Sequence, residues 1–80
     1  MPYVIVLPNP PKQKGIDTYY GDDLVRWENK LYAATTFQRV QYAIDFVKEV
    51  RKAYSGNWQR AVVQRIEYQV TRVGGLIEVE

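Results

Sequence analysis

The chain contains no cysteine and no histidine, and its one serine is Ser55. Without cysteine there are no disulfides and no thiolate metal sites, and a reducing compartment is compatible. Without histidine the usual general base near neutral pH and the commonest metal ligand are both missing. A zinc site would have to be built from carboxylates alone, which is a poor donor set for that ion. Nucleophilic catalysis needs an activating base beside a hydroxyl or thiol, and Ser55 has no histidine to serve it. The glycines at 15, 21, 56, 74 and 75 match no dinucleotide or phosphate-loop spacing. Long apolar runs are missing as well. The one near the start, Val4 to Leu7, is far too short for a signal-peptide core or a membrane span. These absences lead us to expect a non-enzymatic, cytoplasmic protein with no membrane attachment, no metal and no cofactor.

The 80 residues are 46% hydrophobic, 25% charged and 14% aromatic. That apolar content separates the chain from disordered sequences. The length suits one domain, residues 1–80. A chain this short buries only about 60–65% of its unfolded surface, which gives it a reason to self-associate or to dock on something larger. The net charge is +2 and the pI about 9.0. The eleven Lys and Arg are scattered among nine Asp and Glu, without the clustered basic face of a dedicated nucleic-acid binder.

Tyr3 to Leu7 is apolar throughout and rich in β-branched residues, the pattern of a buried central strand. Pro8 ends it, and the proline-rich stretch 8–15 reads as an irregular loop carrying Lys12 and Lys14. Ile16 to Tyr20 and Leu24 to Glu28 read as two strands joined by the Gly21-Asp22-Asp23 turn. From Gln38 to Tyr54, apolar residues at Val40, Ala43, Ile44, Val47, Val50 and Tyr54 draw one stripe down a helix. Thr36 or Gln38 is its expected cap, and Gly56 its stop. Arg60 to Val73 alternates as one long strand, with Gln64 out of place on the apolar parity, which suggests a bulge or the fraying end of the strand. Gly74-Gly75 then looks like a hairpin turn leading to a final strand, Leu76 to Val79. The expected class is α+β: a small antiparallel sheet in the order β-β-β-α-β-β, covered on one face by a single amphipathic helix.

The candidate contact residues each have a plain structural explanation beside the functional one. Asp22 and Asp23 could hold a cation, but aspartate favours turns by bonding its own backbone, and that explanation is the stronger. Tyr19, Tyr20, Arg26 and Trp27 flank the turn and could stack a base and pair with phosphate. Adjacent tyrosines on a strand point to opposite faces, however, so at least one belongs in the core. Trp58 closes the core beneath the helix end or, if exposed, is the best single hot spot. Arg60, Arg65 and Arg72 are spread along the long strand without a clean stripe and read as a solvated face, although Arg65, near the centre of an exposed sheet face, is a fair contact residue. Lys12 and Lys14 could reach a phosphate, or simply keep the loop soluble.

Tyr20-Gly21, Trp27, the Ala34-to-Phe37 step and Ala43 form a pattern that resembles small proteins encoded by bacteriophages and prophages. The resemblance spans roughly residues 16–50 and transfers no residue role. It implies an accessory protein without catalysis. Some such proteins inhibit bacterial immunity by blocking an effector or by sequestering a nucleotide signal. The expected partner is therefore a host defence protein or a nucleotide, with self-association through a long edge strand. A small nucleic-acid-binding module and a virion component are the competing readings.

Overall fold

A computed structural model describes residues 2–8, 18–21, 27–68 and 71–80. Its five strands are β1 (Tyr3–Leu7), β2 (Thr18–Tyr20), β3 (Trp27–Glu28), β4 (Val62–Glu67) and β5 (Thr71–Ile77). They form one antiparallel sheet in the order β3-β2-β1-β4-β5. A single helix, α1 (Val40–Ala53), packs on it. This is the expected α+β class with the expected element order. The strands expected at Ile16 and Leu24 are described only from Thr18 and from Trp27.

β1 lies at the centre of the sheet, as its unbroken apolar run implies. Val4, Ile5, Val6 and Leu7 are all at most 1% exposed, which requires cover on both faces. Alternation sends Ile5 to the helix side, with Val63, Ala43, Val47 and Val50. Val4 and Val6 go to the other side with Tyr19, Val62 and Ile66. There Leu31 and Ala34, from a short 3-10 helix at Leu31–Ala33 and the residue after it, pack over them. The chain leaving that turn is tied back by backbone bonds. Thr35 N–H donates to the Tyr20 carbonyl, and Phe37 exchanges two 2.8 Å bonds with Tyr3. Gly21 is confined beside this turn: a Cβ there would come within 3.1 Å of Glu28 Cγ.

The helix starts two residues later than expected. Its N-cap is Arg39, which makes no side-chain capping bond. Of the expected core stripe, Val40, Ala43, Ile44, Val47 and Val50 all lie in or against the core. Phe46 packs into the core, whereas Tyr54 is 39% exposed at the C-cap. Gly56, at φ +73, opens a second 3-10 helix, Gly56–Arg60, which carries the buried Trp58.

The largest departure concerns the last third. Arg60–Val73 is not one strand, and Gly74-Gly75 is not its hairpin turn. The chain reverses six residues earlier, since Glu67 pairs with Thr71, and Tyr68 takes φ +52 at the start of the loop. The early turn returns seven residues along β4, where a turn at the glycines would have returned only the four of Leu76–Val79. The two glycines lie inside β5 and form a bulge. Gln64 alone stands between Val63 and Arg65, but three residues, 74–76, stand between their partners Val73 and Ile77. The irregularity expected at Gln64 is present, with the extra residues on the opposing strand.

Candidate functional site

The aromatic residues around the Gly21 turn do not converge on one platform. Tyr19 and Tyr20 face opposite sides of the sheet, each less than 9% exposed. Tyr20 joins Phe46, Trp58, Trp27 and Phe37 in a chain of ring contacts with centroids 5.0–5.9 Å apart. Trp58, only 2% exposed, and Phe46 each meet three of the other rings, so Trp58 closes the core beneath the helix end. Trp27 is half-buried against it. Edge and tilted contacts of this kind add about 0.5–1.5 kcal/mol per pair beyond burial, so the cluster anchors the fold. Asp22, Asp23, Arg26, Lys12 and Lys14 lie outside the described residues. No cluster of three acidic residues able to hold a metal occurs among the described ones.

On the opposite face, Tyr19 belongs to a polar chain that crosses the sheet. Arg72 Nη1 reaches the Tyr19 hydroxyl at 3.5 Å, and its guanidinium lies 6.0 Å from the ring centroid. Arg72 Nε donates to the Gln64 amide oxygen. Gln64 Nε2 in turn donates to the Gly74 carbonyl at 2.9 Å. Gln64 is thus a buried amide with both ends used, which is what burial of such a group requires. Its placement on the apolar parity was the trace of this network in the sequence. Arg72, expected on a solvated face, is half-buried here.

A second arginine is structural for a different reason. Arg51 Nε donates to the Trp58 carbonyl at 2.8 Å and Nη1 to the Val79 carbonyl at 2.7 Å. Nη2 reaches the carbonyls of Gln59 and Ala61 at 3.2 and 3.1 Å. The planar donor fork ties the last turn of α1 to the second 3-10 helix and to the chain end. As a residue in the last helical turn Arg51 suits the dipole, but nothing local in the sequence points to these distant carbonyls.

Arg65 is different. It is exposed, and its side chain forms no hydrogen bond or ion pair with the described residues. It lines a groove of 270 Å³ together with Tyr3, Val73, Gly74, Gly75 and Ile77. The register explains this grouping. Tyr3, Arg65 and Val73 form one cross-strand row on the helix side of the sheet, and Ile5, Val63 and Ile77 form the next. Beyond the reach of α1, β5 bulges away and leaves the depression. Of its lining residues only Arg65 is charged. Tyr3 was legible as strand but not as groove wall, because the wall depends on the bulge. β5 is the edge of the sheet, and Leu76 on it is 41% exposed. Tyr68, at the head of the β4–β5 loop, is 89% exposed. Elsewhere Tyr32 and Tyr42 are exposed beside Lys30 and Arg39, with each cation 5.8 Å from the ring centroid.

No helix among the described residues is long and apolar enough to cross a membrane. Comparison of the chain with protein-family models, with characterised proteins and with solved structures finds no match.

Proposed function

We propose that this protein acts by stoichiometric binding, with the β4–β5 side of the sheet as its contact surface. Its biological role would be that of a phage-type accessory factor, which blocks a host defence protein by occupying it. The observation that carries this reading is Arg65, an exposed guanidinium without a partner among the described residues, set in a groove beside the edge strand β5. Arginine and tyrosine are the residue types that dominate binding energies at protein interfaces. Here Arg65 and Tyr68 flank β5, Tyr3 lines the same groove from β1, and Leu76 stands on the edge strand, while the remaining aromatic candidates are committed to the core. A small domain that gains stability by docking fits the same picture.

Sequestration of a nucleotide is the second reading, because Tyr3 and Arg65 supply a ring and a phosphate-pairing fork in one groove. The groove volume weighs against it. At 270 Å³ it falls below the roughly 300–1,000 Å³ of sites that enclose small ligands. Native mass spectrometry of the purified protein separates the two. A clean mass, with a stoichiometric complex once a target is added, supports the protein-blocking reading. An adduct of nucleotide size supports sequestration, and turnover of a nucleotide or peptide substrate overturns both.

A further inference from the structure

The two glycines of β5 differ in a way that bears on what docks there. Gly74 has φ +76, so the bulge itself requires glycine at that position. Gly75 has no such backbone conformation, and a Cβ built on it meets nothing within 4 Å. The chain's own packing therefore gives no reason for glycine at 75, whereas glycine inside a strand weakens it. A residue without a side chain on an exposed strand lets another backbone approach closely. Gly75 lies on the outermost strand, in the lining of the groove that holds Arg65.

We infer, resting on the binding reading above, that β5 accepts an extended segment of a partner protein as a sixth strand, and that this segment carries an acidic side chain that reaches Arg65. Strand addition draws affinity from main-chain bonds and selectivity from pockets that take alternate side chains. The groove supplies one such pocket, one strand in from the edge, with the apolar walls Val73 and Ile77 and a single charge, Arg65. Charge selects the occupant. A second copy adding its own β5 brings Arg72 as the one charged residue within the strand, with Glu78 lying just past its end, so the paired strand itself offers Arg65 no carboxylate. Nucleic acid would ask for several cations, where the groove has one. An acidic extended segment suits both the Arg65 guanidinium, which has no partner among the described residues, and the edge strand β5.

The test uses the full chain and a fluorescein-labelled octapeptide of alternating valine and glutamate, read by fluorescence anisotropy. The valine–lysine counterpart should bind at least tenfold more weakly. N-methylation at alternate residues, which removes the ladder donors, should weaken the glutamate peptide at least tenfold. Arg65→Glu should reverse the preference between the two peptides. Gly75→Val, which puts a β-branched side chain into open space, should lower affinity at least tenfold, with circular dichroism confirming the fold. Equal binding of the lysine peptide, unimpaired binding of the methylated one, or no binding of the glutamate peptide overturns the proposal. So does tighter, steeply salt-dependent binding of an eight-residue oligothymidylate, or a dimer in sedimentation that Gly75→Val dissolves. These failures concern the occupant alone. The binding reading itself fails separately, through turnover seen in native mass spectrometry.

Discussion

Replacing Arg51 by leucine should destabilise the protein by about 3 kcal/mol. Leucine keeps most of the apolar stem, which isolates the loss of the guanidinium. That group makes four hydrogen bonds to carbonyls at 2.7–3.2 Å. Bonds to a charged donor contribute about 1.5–3 kcal/mol each, and an acceptor left buried without a partner costs about 1–3 kcal/mol. The four are not equal. The Gln59 carbonyl is exposed and regains water at little cost, whereas those of Trp58, Val79 and Ala61 are part-buried. The Trp58 carbonyl also keeps a weak bond from Ala61 N–H at 3.4 Å. Two carbonyls losing their full bond, at about 1.5 kcal/mol each, give the estimate. Total stability for a domain of this size is about 4–12 kcal/mol, so the loss is a large share. It should appear as a fall in Tm of roughly 12–24 °C. Arg51→Lys is the control. It retains the charge near the helix end but not the planar fork, and should recover less than half of the loss. Thermal and urea unfolding followed by circular dichroism decide the matter. A loss below about 1 kcal/mol for Arg51→Leu, or full recovery with lysine, would refute the claim that the fork holds these elements together.

Three further substitutions read other parts of the structure by the same unfolding assay. Thr18 is 3% exposed and its hydroxyl has no partner among the described residues; Thr18→Val keeps the shape, removes the orphan oxygen, and should leave stability unchanged or raise it by about 1 kcal/mol. Tyr68 holds a left-handed backbone at 89% exposure, so Tyr68→Asn should stabilise the free protein by about 0.5–1 kcal/mol while weakening partner binding. Gly74→Ala should destabilise by about 1–2 kcal/mol because of its positive φ, whereas Gly75→Ala should change stability by less than about 0.5 kcal/mol.

The parts of this fold that were legible in the sequence are those governed by near neighbours. An unbroken apolar run placed β1 at the centre of the sheet, and a 3.6-residue stripe placed α1, because burial acts on each element's own periodicity. The opposite facing of Tyr19 and Tyr20 followed from strand geometry alone. The errors arose where two elements compete for the same residues. A glycine pair after a polar-apolar alternation satisfies every local rule for a hairpin, yet pairing along the full length of β4 outweighs the strain of an αL tyrosine, of order 1–2 kcal/mol. That non-local gain cannot be read from residues 60–80 taken alone. The candidate site suffered most from this. Arg65 was visible as a polar-face residue, but its groove exists only because the glycines became a bulge, which brought Val73, Gly74 and Gly75 beside it. Of the two glycines, backbone conformation accounts for Gly74 and leaves Gly75 unexplained. The contact surface is therefore best sought where a residue choice departs from what the fold itself needs.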